Sequence, residues 1–385
     1  MPKLDNSGDT TINLNTNPND SINFSSGRVW LRLESGNGKY TRIYNVKVNV
    51  HKMNPDSLQW RSQKQALPGS LANPAEQWST QQGDDIYSLE RNQAGDVQLC
   101  HSSNPLEGEW TRTTPTLPAD AVLRSFTATD DAFYILSSDG KLFTAADPAG
   151  QWTETGQTGW SYIYGGYGTD VIGVQEGKWL AYPSGKTGAI PAAMPVSGTS
   201  QMWTYSNSWM TSPQAMFVGG RLADGSLSNA AWGFDGYGWM QLNASTSQRV
   251  IPAAEGVTLF PYFTYRVEKT NFAITKQSAW IALGGKTADG SVHKDVYITL
   301  DNGINWLKGS ESLTLPAEIT ARSGASVQIT NKTYTIGSRA DLLEKPITEW
   351  DAPFILLLGG NDASGHLFNE MHVGVINRLT FKPLQ

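Results

Sequence analysis

Alternating apolar and polar positions, interrupted by short clusters of turn formers, run along most of the chain. Residues 28 to 50, RVWLRLESGNGKYTRIYNVKVNV, are the clearest case: Val29, Leu31 and Leu33 alternate before a turn, and Tyr44, Val46, Val48 and Val50 alternate after it. A period of two puts each set on one face of a strand, so the segment predicts a β-hairpin. Asn37-Gly38 at its tip tolerates positive φ, which predicts a tight type I′ turn. With TTINLNT and SINFSS ahead of it, the segment predicts a partial small β-sandwich of Ig-like type over residues 1–57, and the turn formers of HKMNPDS mark its end.

A loose repeat follows. VGGRLADGSLSNAAWGFDGYGWMQL begins at Val218, LGGKTADGSVHKDVYITLDNGINWLKG at Leu283 and LGGNDASGHLFNEMHVGVINRLTF at Leu358. Each reads as an apolar strand ending in Gly-Gly, a polar turn, a second strand, a tight turn and an aromatic-bearing third strand. Degenerate units start at Asp84, Asp130 and Thr169, giving six units. At about 55 residues per unit, the spacing predicts an all-β, six-bladed β-propeller over residues 58–385. VQITNKTYTIGS at Val327 leaves a seventh blade open. LQWRSQKQALP at Leu58 resembles the outer-strand pieces EWTRTTPTLP at Glu109 and NWLKGSESLTLP at Asn305, yet it precedes the first full unit. Residues 58–64 are therefore expected to complete the last blade, which removes the open edges of a linear array.

Composition narrows the function classes. Among 385 residues, 38 Gly and 14 each of Trp and Tyr favour short strands and tight turns over long helices. A formal charge of -6 lacks the basic footprint of a phosphate-backbone binder, so nucleic acid is excluded as a partner. The one cysteine, Cys100, excludes an intrachain disulfide framework and Cys-rich zinc sites. No transmembrane segment is expected, because no apolar run reaches the ~18 residues that span a bilayer. The opening MPKLDNSGDT lacks a signal-peptide core and runs straight into strand-like sequence, so the expectation is an export signal lost upstream of Met1.

Candidate chemistry is sparse. In YITLDNGINWLKG, Thr299, Asp301, Gly303 and Trp306 match the four fixed positions of the Asp-box found in sialidase-type propellers, a folding element of the outer rim. A structural role is expected for all four: Asp301 accepts from the turn's amides, Gly303 takes positive φ and Trp306 covers the hairpin. Ser138-Asp139-Gly140 and Asp235 to Trp239 read as weaker copies at turns. Sialidase chemistry itself is not expected, since the family's Arg-Ile-Pro is missing and the nearest run is Arg249-Val250-Ile251-Pro252. His366, Glu370 and His372 suggest a metal site only weakly, and a polar strand edge is the simpler reading. The acidic pairs Asp84-Asp85 and Asp130-Asp131 read as turns, with calcium as the sharper alternative. No other cofactor is implied. MWTYSNSWM concentrates Trp203, Tyr205 and Trp209, rings that serve either as blade packing or as a platform for sugar faces. Arg124 and Arg322 stand at the start of inner strands, where loops gather round the pore, and are candidates for meeting an anionic ligand.

The passage YTRIYNVKVNVHKMNPDSLQW, followed by repeats ending in LGG and by YITLDNGINW, resembles the domain of unknown function 6242 family of exported Bacteroidetes proteins. The Gly-Gly units also resemble kelch repeats. The resemblance covers nearly the whole chain and implies a small β-sandwich followed by a kelch-like propeller, at the cell surface, in the periplasm or outside the cell. It supplies no catalytic residues. The combined expectation is a non-catalytic binding or scaffolding protein that holds a glycan or protein partner through pore-side loops. The alternative is a glycan-processing enzyme with a divergent carboxylate pair at the pore.

Overall fold

A computed structural model describes residues 3–6, 10–13, 15–16, 29–46, 57–61, 64–206, 210–267, 274–310, 312–335 and 349–377. The chain divides into two compact units, Met1–Met53 and Asn54–Gln385.

The first unit holds one antiparallel sheet in which Lys3–Asn6 lies between Thr10–Asn13 and Val29–Glu34, with Thr41–Val46 at the far edge. Val29 pairs with Val46 and Glu34 with Thr41, as the alternation requires. The tip departs from the type I′ expectation. Gly38 has φ +69 while Asn37 does not share it, and the Gly38 amide donates to the Ser35 carbonyl. The Asn37 Oδ1 accepts from the Ser35 hydroxyl and the Lys39 amide. That side-chain clasp stabilises a longer loop, so only one of the two residues needs the left-handed region.

The second unit is a propeller of six four-stranded antiparallel blades. Their inner strands are Pro74–Gln82, Ala121–Ala128, Trp160–Tyr167, Trp203–Tyr205, Thr258–Val267 and Ser326–Thr335. The run at Val327 is thus the inner strand of blade 6, which removes the seven-bladed alternative. Six buried apolar clusters fill the ring, one at each blade interface among the described residues. The Gly-Gly pairs explain part of that fit. Gly219, Gly284 and Gly359 all have positive φ, and a Cβ on them would meet the Ala254 carbonyl at 2.7 Å, the Arg322 carbonyl at 2.2 Å and the Gln77 side chain at 2.8 Å, each on the next blade.

Closure uses the early strand. Ser57–Trp60 pairs antiparallel with Met371–Asn377, with Trp60 opposite Gly374 and Leu58 opposite Ile376. Past it, the Lys64 ammonium reaches the Glu370 carboxylate at 2.8 Å. Where blade 6 meets blade 1 the inner strands are joined by polar groups: Ser79 and Ser326 hydroxyls lie 2.7 Å apart, and the Gln328 amide donates to Ser79 at 2.9 Å. All three residues are fully buried, so these hydrogen bonds are unscreened by water.

Candidate functional site

Each sequence candidate has a definite place. The Asp-box forms the hairpin between the third and fourth strands of blade 5, Val296–Thr299 and Leu307–Lys308. The Thr299 hydroxyl donates to the Asp301 carboxylate at 2.7 Å, and Asp301 accepts from the Asn305 amide and side chain at 2.9 and 2.8 Å. Trp306 is buried against blade 4 residues such as Met216 and Ile251, and a Cβ on Gly303, where φ is +91, would stand 2.8 Å from the Met216 sulfur. The motif therefore fastens one blade to its neighbour. Asp235 to Trp239 occupies the matching hairpin of blade 4, with Asp235 accepting from the amides of Tyr237 and Gly238. Ser138-Asp139-Gly140 does not match: it connects the second and third strands of blade 2, Phe133–Ser137 and Leu142–Ala145, so it is a different turn that shares the same polar residues.

Arg322 is fully buried. Its guanidinium donates to the Glu370 carboxylate at 2.6 Å and to the Gly359 carbonyl at 2.8 Å, and it covers the Phe368 ring at 4.7 Å. That arrangement leaves it no route to a ligand. Burial raises the Glu370 carboxyl, but the donors Lys64, His372 and Arg322 outweigh it and hold the group down to about 2. His372 lies 3.0 Å from Glu370 and burial keeps its pKa below the ordinary imidazole value. His366 is exposed in the preceding turn, with its amide on Asp362. Among the described residues, no three His, Cys, Asp or Glu side chains are grouped to hold a metal ion.

Trp203 and Tyr205 belong to the blade interfaces. The Trp203 indole donates to the Leu259 carbonyl at 2.7 Å, and Tyr205 meets Trp280 edge-on with its hydroxyl on Gln214. Trp209 lies outside the described residues.

Arg124 differs from Arg322. It projects from the inner strand of blade 2, exposed, and stacks over the buried Trp78 ring of blade 1 at 4.8 Å. A Cβ on Gly324 of blade 6 would sit 2.2 Å from its Nη1, so the glycine leaves room for the guanidinium. Arg124 also lines a cleft of about 480 Å³ between blades 2 and 3. Leu136, Trp160 and Ile163, part of the buried cluster between those blades, contribute its apolar surface. Exposed Val122 and Ser161 lie on the two inner strands, and Tyr162 and Asp139 complete the ring of polar and apolar groups. The Ser137 hydroxyl donates to Asp139 and holds its carboxyl below the usual range, with Lys141 at 3.7 Å.

Of the residues lining this cleft, the sequence singles out Arg124 as a ligand candidate and Asp139 only as part of a turn, and it does not single out Val122, Trp160, Ser161 or Tyr162. The one legible signal was AVLRS, in which Val122 and Arg124 sit two apart and so share a face.

No curated protein matches the sequence. Among solved structures the chain is similar to AofleA from Arthrobotrys oligospora, at 15% identity and TM-score 0.44, covering 83% of this chain and 94% of that one. It is similar to the SapL1 lectin, solved in complex with alpha methyl fucoside, at 14% identity and TM-score 0.41, with 74% and 88% covered. A third is the BP39L lectin from Burkholderia pseudomallei, at 14% identity and TM-score 0.39, with 88% and 93% covered. The repeat architecture, the closing strand and a family match over residues 54–384 agree, and the chain belongs to the DUF6242 beta propeller domain family.

Proposed function

We propose that this propeller is a non-catalytic glycan-binding protein whose ligand occupies the cleft between blades 2 and 3. The supporting observation is the lining itself. A cleft of about 480 Å³ is within the range of small-molecule sites, and it sets apolar surface from exposed Val122 and half-buried Tyr162 beside hydroxyls, one carboxylate and one guanidinium. A sugar presents both kinds of surface: C–H faces that pack on rings and hydroxyls that both donate and accept.

Binding is favoured over hydrolysis by the same residues. Glycosidases need two carboxyl groups flanking the bond, one of them with a raised pKa. Among the residues lining the cleft Asp139 is the only carboxylate, and its pKa is shifted downward, which suits an acceptor and not an acid. The proposal includes the extracellular, cell-surface or periplasmic location that the family resemblance implies, to be checked by fractionation of the source cells.

The test is a glycan array followed by titration calorimetry on the best ligand. Ser161→Trp, which fills the cleft from an exposed inner-strand position, is expected to weaken binding at least about tenfold without altering the melting temperature. Unchanged affinity in a folded Ser161→Trp protein would sink this placement of the site.

A further inference from the structure

Arg124 is held by a ring and not by a charge. Among the described residues it makes no hydrogen bond or ion pair, whereas Arg322 has Glu370, Arg221 has Glu255 at 2.7 Å and Arg91 has Glu76 and the Ala121 carbonyl. The other charge in the cleft is already answered, since Asp139 takes the Ser137 hydroxyl and stands near Lys141. Two features hold the guanidinium in place instead of leaving it to sweep through solvent: the Trp78 face beneath it and the gap at Gly324. Stacking on an indole fixes the plane of the guanidinium, and although its Nη1 side lies close against Gly324, none of its N–H groups meets an acceptor among the described residues. A planar fork of donors, oriented in advance and without an acceptor, is matched by a carboxylate, which accepts two parallel N–H bonds in the same plane.

We infer that Arg124 is the specificity-determining residue of the cleft and that the glycan it selects carries a carboxylate, as a uronic acid does. This rests on the cleft being the glycan site. The negative charge of the ligand meets Arg124 while its hydroxyls meet Asp139 and the serines, so the sugar is bound in one orientation. Because Arg124 is an exposed residue, the interaction weakens as salt rises.

The experiment compares an array of uronic-acid oligosaccharides with their carboxyl-reduced and sulfated counterparts, on wild-type protein, Arg124→Gln, Arg124→Lys and Ser161→Trp. The expected result is a preference of about tenfold or more for the carboxylated member of each matched pair, lost in Arg124→Gln and only partly restored in Arg124→Lys, which keeps the charge without the fork. Near-UV circular dichroism verifies that the variants are folded. Equal binding of reduced and carboxylated sugars, a stronger response to sulfate, or a preference that survives Arg124→Gln overturns the inference. If binding in those cases still disappears in Ser161→Trp, the cleft stands as the glycan site and only the acid specificity falls. Absence of binding to every sugar, or binding indifferent to Ser161→Trp, removes both.

Discussion

Glu90 and Glu370 are both carboxyls taken out of water, and their surroundings drive them in opposite directions. Glu90 is 1% exposed; burial raises its pKa to about 7, with the Gly69 amide and Arg112 opposing. Its folded pKa lies above the unfolded value, so the folded state keeps a proton that the unfolded chain releases. Stability therefore falls as pH rises between about 4.5 and about 7. The full effect is on the order of 3 kcal/mol. Glu90→Gln, which keeps an acceptor for the Gly69 amide, is expected to raise the urea midpoint at pH 8 by an equivalent of about 1 to 3 kcal/mol and to do little at pH 4. An unchanged midpoint at both pH values would contradict the assignment. Glu370 is the reverse case, since Arg322, His372 and Lys64 surround it: its contribution is present above the unfolded carboxyl range and is lost as pH falls toward about 2. The sequence marked Arg322 and Arg124 alike, as arginines at the start of inner strands. What separates them is a carboxylate 48 residues later in the chain, against which one is neutralised and the other is not.

At the scale of the element, the Asp-box hairpin shows how much local sequence can carry. Its four fixed residues act within one turn, and the hydrogen bonds from Thr299 to Asp301 and from Asn305 to Asp301 follow from their spacing. Its weight in stability comes from the next blade, where Trp306 is 2% exposed among blade 4 side chains. Trp306→Ala is expected to cost about 3 to 5 kcal/mol, measured by denaturant unfolding. A loss below about 1 kcal/mol would mean that the ring is not part of the interface. The hairpin at Asn37-Gly38 shows the limit: its position was legible, but its turn type depended on how one Asn side chain hydrogen-bonds. Likewise Ser138-Asp139-Gly140 resembled an Asp-box copy because turns of different rank use the same residues.

Ring closure is decided by the whole molecule. The strand Ser57–Trp60 supplies the outer edge of a blade whose other three strands lie more than 260 residues further on, starting at Ser326. Leu58 is nearly buried and its amide donates to the Ser312 carbonyl at 3.0 Å, so Leu58→Pro removes a donor and a packed side chain together. The expected result is a loss of about 3 kcal/mol or more, with concentration-dependent association through the freed edge, followed by unfolding and light scattering. The sequence by itself determined the all-β class, the propeller repeat, the Asp-box and the closing strand, because these are written in periodicity and in residues that act within one turn, whereas six blades instead of seven followed from the pairing of Ser326–Thr335 as an inner strand. Tertiary structure alone decided which of Arg124 and Arg322 a carboxylate neutralises, which aromatics are packed between blades and where the cleft opens. Those features arise where strands of different blades meet, at distances in sequence over which no local pattern constrains the partner.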